Sequence, residues 1–366
     1  MSPYNTGMNA PLLQPVFDES AALPLAQACD ANLFADEAGP QLSPRAAATA
    51  SANMIIQGAI APIADLGLLR VHGADAEAFL QGQLTNDVAG LPTERSMLAG
   101  YCSAKGRMLA SMRVWRFEEA IWLMPTRVLA PGLLKRLSLF VLRSKVKIED
   151  VSAGWACFGV SGDRSATAVH TLGVRWPAPG EVQTALGNLL IGIESVRIAQ
   201  QIVPRALLIT PIADARGVWT GLSRLLAPIG STTWRWTDIL SGVGRVLAPG
   251  VERFVPQMIN FDLVDGVSFR KGCYPGQEVV ARSHYLGKLK RRLFLAHVDG
   301  EPPMAGLDVF EGTASEPCGQ VVMSAPAPGG GAALLFESQI GSASRARVAD
   351  GRALQLLELP YGLPAA

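Results

Sequence analysis

The chain has 366 residues, of which 49% are hydrophobic and 17% charged, and its formal net charge is +1. This length predicts two or three domains, and the composition indicates a compact globular protein and argues against disorder. A net charge so close to zero provides no global attraction for nucleic acid or membrane surfaces, so binding of a polyanion would need a local patch.

Cysteine and histidine usage narrows the functional classes. The five cysteines are odd in number and scattered, with no Cys-x-x-Cys pair and no cluster with the four histidines: Cys29, Cys102, Cys157, Cys273 and Cys318. We therefore expect neither structural disulfide bonds nor a resident metal ion. The N-terminus has no basic stretch followed by an apolar one, and no uncharged apolar run is long enough to cross a bilayer. These features predict a cytoplasmic protein without a membrane partner.

The elements in the first half of the chain indicate one folding unit preceded by an extension. Residues 1–50 lack periodicity, which predicts a mobile extension with one short helix near 24–34. A strand is predicted over 63–72, and Asp75 is a plausible N-cap for the helix that follows. Further strands are predicted over 97–102, 108–117 and 120–125, and a helix over 129–140. Residues 51–150 therefore form a first domain.

The composition changes near Ser152, where a second unit begins. Residues 151–233 show a β-α-β-β-α order with strands predicted over 155–160, 189–196 and 206–211 and helices over 164–172 and 215–226. This order suggests a ferredoxin-like middle domain. After residues 234–290, which we assign to the first domain, short strands alternate with Gly/Pro turns. Residues 291–366 therefore predict a small C-terminal antiparallel β-barrel.

The segment Phe269-Arg-Lys-Gly-Cys-Tyr-Pro-Gly-Gln-Glu278 is the most informative stretch. Pro275 and Gly276 suit the two central positions of a type II turn, and Gly272 would allow close backbone approach. The residues from Gln277 onward start a short helix or strand. If it is a helix, its positive end and the Lys271 ammonium would both favour a thiolate at Cys273. The alternative is a tight turn with a half-buried cysteine.

The motif from Lys271 to Glu278, followed by Val280-Ala-Arg282, closely resembles the signature of the YgfZ family of folate-binding proteins. This family shares a superfamily with the aminomethyltransferase (T-protein) of the glycine cleavage system. Two further blocks, residues 73–87 and 101–107, resemble family motifs and occur in the family order. The resemblance implies an α+β fold with a three-domain T-protein-like architecture around a folate-sized funnel.

For function, the resemblance implies tetrahydrofolate binding and support of iron–sulfur enzymes, including those that thiolate tRNA. The expected partners are folate, iron–sulfur proteins or carriers and, indirectly, tRNA. One thiolate cannot hold a stable cluster, so an iron–sulfur role would be assistance to other proteins. Cys273 and Lys271 are the candidate catalytic residues.

The candidate folate-binding residues follow from the resemblance and from the chemistry of flat heterocycles, which need an apolar or aromatic face and a few polar groups. Trp234 matches a family tryptophan that contributes to folate binding. The family has a second tryptophan near the sequence position of Leu66, and this chain departs from the family pattern there. Trp234 and Trp236 stand at i and i+2, and on a strand this spacing would direct only one of them into a pocket. Without the resemblance, both would be assigned to the core. The remaining candidates come from the signature: Gly272, Tyr274, Gln277, Glu278 and Arg282.

A group of basic residues follows the signature: Arg282, Lys288, Lys290, Arg291 and Arg292. It could bind the glutamate tail of folate or RNA phosphates, or form a solvated edge that discourages sheet association. A non-enzymatic adaptor for iron–sulfur carriers or tRNA therefore stays open as an alternative function.

The turn at Lys105-Gly106 lacks a residue that true T-proteins have. An aspartate follows this turn in those enzymes, whereas residues 107–112 here contain no carboxylate. Without it, aminomethyl transfer has no evident acid–base partner. A folate-dependent aminomethyl or methyl transferase is therefore the less favoured alternative, and whether the protein is an enzyme stays open.

Overall fold

A computed structural model describes residues 13, 15–16, 18–47, 49–285 and 289–364. Lys288 of the predicted basic group lies outside these residues. Within them the chain forms eight α-helices: α1 Leu23–Ala28, α2 Ala52–Gln57, α3 Ala76–Gln81, α4 Ala130–Val141, α5 Ser165–His170, α6 Ala215–Leu222, α7 Ser231–Leu240 and α8 Gln277–Tyr285. No helix in the described ranges is both long and apolar enough to cross a membrane.

The strands of the first half of the chain begin with an N-terminal hairpin: β1 Ala31–Asp36, β2 Gly39–Pro44, β3 Ala59–Ile63, β4 Leu69–His72, β5 Ser96–Cys102, β6 Met108–Phe117, β7 Ala120–Pro125 and β8 Lys147–Asp150. The strands of the second half follow: β9 Trp155–Ser161, β10 Val182–Ala185, β11 Asn188–Ile198, β12 Gln201–Pro211, β13 Ala227–Pro228, β14 Arg291–Val298, β15 Asp308–Glu311, β16 Pro317–Pro326, β17 Ala332–Gln339, β18 Ala346–Val348 and β19 Gln355–Leu357.

The first large sheet has the order β5-β6-β7-β4-β8 and is antiparallel. Its central hairpin has the bounds predicted from the sequence. Glu118 and Glu119 both have positive φ, as a two-residue hairpin turn requires. The stacked indoles of Trp115 and Trp122, with centroids 6.1 Å apart, anchor this hairpin in the central core.

The second large sheet has the order β10-β11-β12-β9-β3-β13. Strand β3 comes from residues that we assigned to the first domain, yet it pairs with β9 on one side and with β13 on the other. The ferredoxin-like arrangement predicted for residues 151–233 is therefore not confirmed. The alternation of apolar and polar residues within each strand does not show which strands will pair, so it could not predict that β3 joins this sheet.

The C-terminal sheet has the order β18-β15-β16-β17-β14-β19 and is antiparallel. Its curled form is a half-barrel, with β18 and β19 as its edges. The prediction of a small antiparallel C-terminal unit is thus correct, whereas the closed barrel is not found. The short strands β15 and β18 were not predicted.

The N-terminal residues 18–47 correct the prediction of a mobile extension. They form α1 and the β1–β2 hairpin, in which Ala38 and Leu42 are fully buried. The hairpin docks on the start of α7, where the Ser231 hydroxyl donates to the Gln41 side chain over 2.8 Å. The predicted helix over 24–34 ends at Ala28 because β1 begins three residues later. Burial against α7, which is remote in sequence, orders this segment.

Helix α7 lies at the centre of the molecule, in contact with β2, β3, β11, β16 and β17. We had considered Trp234 and Trp236 as i and i+2 residues of a strand, and this was wrong. The helix is buried on nearly every side, including Arg235 at its middle.

Candidate functional site

The signature turn packs directly on the Lys105-Gly106 turn. Gly276 has a φ of +81°, and a Cβ there would lie 2.4 Å from the Ser103 carbonyl oxygen. Gly106 has a φ of +69°, and its Cβ would lie 2.8 Å from the side chain of Val279. The positive φ predicted for Gly276 is confirmed. Gly272, by contrast, has open space around it, so the expected close approach at that residue was wrong.

Lys271 docks the signature on helix α3. Its ammonium donates to the carbonyl oxygens of Gln81 and, over 2.8 Å, Leu84, which lie at the C-terminal end of that helix. Cations stabilise this negative end. Burial lowers the pKa of Lys271 to about 8, against the opposing effects of Asp87 and Cys273. Lys271 thus joins the block 73–87 to the signature, a role that the sequence did not reveal.

Cys273 is exposed and lies four residues ahead of α8, so the helical alternative for the residues after the turn is correct. The other four cysteines are buried. Burial raises the pKa of the Cys29 and Cys102 thiols to about 12. Cys273 is therefore the thiol that a reagent or partner in solution can reach.

An inner cavity of about 80 Å³ lies beside α7. Its wall includes Trp234 and Leu66, the two candidate folate-binding residues that lie outside the signature. The Trp234 indole is only 2% exposed and lies against Gly159, where a Cβ would be 2.3 Å from the ring. The Arg205 guanidinium lies 4.5 Å from the indole centroid. The tryptophan therefore shapes the cavity wall and is itself held by a glycine on β9.

An outer cavity of about 890 Å³ adjoins the inner one. The two share Leu98, Arg113 and Glu194, so together they form a two-part funnel. Phe269 and Arg270, immediately before the signature, line the outer part. Cys273 is absent from the lining of both parts.

Three arginine–carboxylate pairs surround the inner cavity, and the sequence analysis missed all of them: Arg113–Glu194 at 2.8 Å, Arg205–Asp238 and Arg245–Asp65 at 2.7 Å. Arg113, Glu194 and Arg205 stand in strands whose residues are mostly buried and apolar, which is the sequence feature that could have indicated them. A charged residue in a buried strand needs a partner from another element.

The charge state of Glu194 follows from its partner. Burial alone would raise the pKa of this carboxyl, but Arg113 outweighs it, with help from hydrogen bonds and Arg205, and holds the pKa below its ordinary value. Glu194 is therefore an ionised hydrogen-bond acceptor at neutral pH.

The signature residues proposed to bind folate lie away from both cavities. Gly272, Glu278 and Arg282 are exposed, Gln277 is half-buried, and none of them lines either part of the funnel. Tyr274 is buried beside Lys271, whose ammonium lies 4.8 Å from its ring centroid, and burial raises the pKa of its phenol. The structure brings Trp234 and Leu66 together but leaves the signature outside.

The predicted basic edge is largely neutralised. Arg291 pairs with the buried Glu337, and Arg292 makes a bidentate pair with Asp262 at 2.7 and 3.1 Å. Among the described residues of this basic group, Arg282 and Lys290 are exposed. No group of three or more His, Cys, Asp or Glu side chains suited to a metal occurs among the described residues.

The fold is that of the glycine cleavage T-proteins. It matches a crystal structure of glycine cleavage system aminomethyltransferase T from Bartonella henselae with a TM-score of 0.68 and 14% identity, over 93% of this chain and 96% of that one. Residues 44–176 match the GCVT N-terminal domain family.

Sequence comparison identifies the family within the proteins that share this fold. The tRNA-modifying protein YgfZ of Edwardsiella ictaluri is 32% identical over 301 residues, which is 80% of this chain and 89% of that protein. The YgfZ protein of Photobacterium profundum is 32% identical over 240 residues, 65% of this chain and 68% of its own. The chain therefore belongs to the YgfZ family, and the resemblance in its signature is confirmed.

Proposed function

We propose that the protein binds a reduced folate, tetrahydrofolate or a close relative, in the funnel. Through it the protein would support assembly or repair of iron–sulfur enzymes and thereby tRNA modification. The observation that carries this proposal is the inner cavity, which has Trp234 and Leu66 in its wall and opens into a larger outer chamber.

The inner cavity suits the pterin ring of the folate. Its volume corresponds to about six water molecules, comparable with a flat bicyclic ring. The carboxylate of Glu194 could accept from the adjacent N–H groups of a pterin. The Nε atoms of Arg205 and Arg245 are buried without a hydrogen-bond partner among the described residues, and they could donate to its acceptor atoms. The outer chamber is large enough for the remainder of the molecule.

The exposed thiol of Cys273 supplies the second part of the proposal. Because it lies outside the funnel, it would act on a partner protein, as a transient thiolate ligand or redox group. Several relatives are named tRNA-modifying proteins, which is consistent with such a partner being an iron–sulfur enzyme that modifies tRNA. Lys271 would serve this thiol by fixing the loop that carries it.

Leu98 lies where the two parts of the funnel meet, so it provides the direct test. We expect Leu98→Trp to block the passage and abolish calorimetric binding of tetrahydrofolate, while Leu98→Ala retains binding. Equal binding by wild type and Leu98→Trp would refute the site, provided that both variants melt within a few degrees of wild type.

The thiol is tested separately by complementation of a strain that lacks the protein. Cys273→Ser should fail to restore iron–sulfur enzyme activity and tRNA thiolation, although its tetrahydrofolate affinity is unchanged. Ser283→Ala, on the neighbouring α8, is the control and should restore both. Full restoration by Cys273→Ser would remove the thiol from the mechanism.

A folate-dependent aminomethyl transferase is the second candidate, since Glu194 and Asp238 place carboxylates in the inner cavity that residues 107–112 lack. Both are held by arginines, however, and the lowered pKa of Glu194 makes it a poor proton donor. Formation of methylene-tetrahydrofolate from a methylated amine by the purified protein would favour this candidate.

A further inference from the structure

The end of helix α4 and the turn after it expose three large apolar side chains. Leu139 is 58% exposed, Phe140 44% and Leu142 87%. Leu133 and Leu137, on the inner face of the same helix, are fully buried. Single exposed apolar residues are common on protein surfaces, but a cluster of this size commonly marks a contact surface. We call Leu139, Phe140 and Leu142 the apolar tip.

The backbone gives an independent indication that Leu142 is placed for an external contact. Its φ is +46° and its ψ −108°, a conformation that residues with a Cβ disfavour. Glycine or asparagine is usual where a helix ends with positive φ. The turn is nevertheless fixed, since the Lys145 amide donates to the Asp75 carboxylate over 2.7 Å. An ordered turn thus holds a leucine outward, where it gains no burial within the described chain.

Cations surround the apolar tip: Lys135, Arg143, Lys145 and Lys147 are all exposed. Lys135 stands one helical turn before Leu139 and shares its face. No acidic residue occurs between Arg127 and Lys147 in the sequence. Of these four cations, Lys147 pairs with Glu149, and the Asp75 carboxylate lies at the Lys145 backbone amide. This region therefore carries positive charge on its surface that is unpaired among the described residues. The segment around Arg291 and Arg292 does not, because both arginines are paired with carboxylates.

We propose that the apolar tip docks on an anionic lipid surface. The three apolar side chains would enter the boundary between headgroups and acyl chains, and Lys135, Arg143 and Lys145 would contact headgroup phosphates. A lipid surface accommodates a convex tip without a matching pocket, whereas a protein partner must supply one. Nucleic acid would engage the cations but gain little from exposed leucines. This contact is independent of the funnel.

Sedimentation with vesicles tests the proposal on the full-length chain. We expect binding to vesicles of equal phosphatidylglycerol and phosphatidylcholine at about 0.1 M salt, and none to pure phosphatidylcholine. Leu142→Ser should weaken binding more than about tenfold, because it removes the most exposed apolar group. Lys145→Gln should weaken it about fivefold, because it removes one cation.

Two matched controls use equally accessible residues elsewhere. Leu186→Ser removes a leucine that is 85% exposed, and Lys290→Gln removes an exposed lysine, and both should leave binding unchanged. Absence of binding to the anionic vesicles, or equal losses in the controls, would overturn the proposal. Binding of bulk tRNA that needs Lys145 but not Leu142, without vesicle binding, would assign the surface to nucleic acid instead.

Discussion

Gly159→Ala is a sharp test of how Trp234 shapes the inner cavity. The added Cβ would lie 2.3 Å from the indole ring, and the glycine has ordinary strand backbone, so the effect is purely steric. Since carbon atoms pack at about 3.5 Å or more, the ring must move by about 1.2 Å. Overpacking of this kind costs about 1–3 kcal/mol. We expect a loss of stability in that range, measured by urea unfolding, and tetrahydrofolate binding at least about tenfold weaker.

The same substitution at Gly217 in α6 is the matched control, because nothing lies within 4 Å of a Cβ there. Gly217→Ala should raise the free energy of unfolding by up to about 1 kcal/mol, since alanine favours helix. In a Trp234→Phe background the cost of Gly159→Ala should shrink, because the smaller ring can yield. If Gly159→Ala unfolds at the wild-type urea concentration and binds folate normally, then Trp234 does not hold the wall in the way described.

Three further predictions concern charge and the signature. Asp65→Asn should lower the free energy of unfolding by about 3–5 kcal/mol, because it removes the carboxylate that the buried Arg235 and the half-buried Arg245 share; a shift in urea unfolding below about 1 kcal/mol would contradict this. Lys271 has its pKa lowered from 10.5 to about 8, so the unfolded state binds more protons between these values. Stability should therefore rise with pH across that window relative to Lys271→Met, and parallel pH profiles would refute it. Gly276→Ala should displace the turn from Ser103 and speed amide exchange there, whereas unchanged exchange would show that the turn absorbs the Cβ.

Features set by local chemistry could be predicted from the sequence. The positive φ of Gly276 follows from the turn chemistry of Pro-Gly, and β6 and β7 follow from two apolar runs separated by a two-residue turn. Trp234, chosen through the family resemblance, lies in the cavity wall, but it stands in a helix and not in the strand considered from its spacing.

The features that escaped prediction depend on residues far apart in sequence. Arg113 and Glu194 come from different sheets, and their pairing appears only once these two sheets are packed together. The hairpin β1–β2 is ordered because Asp36 and Gln41 contact residues of α7 almost two hundred positions later. No local pattern contains such information.

The signature joins the funnel to the exposed thiol through one short segment. Phe269 and Arg270, immediately before the signature, line the outer cavity, and Cys273 within the signature faces solution. Between them, Lys271 fixes the segment to the end of α3 through its hydrogen bonds to two backbone carbonyl oxygens. A ligand in the outer cavity would therefore press on the segment that carries the thiol. Under the proposed function, this short segment would be the route by which bound folate influences chemistry at Cys273, although the sulfur lies outside the cavity that would hold the pterin.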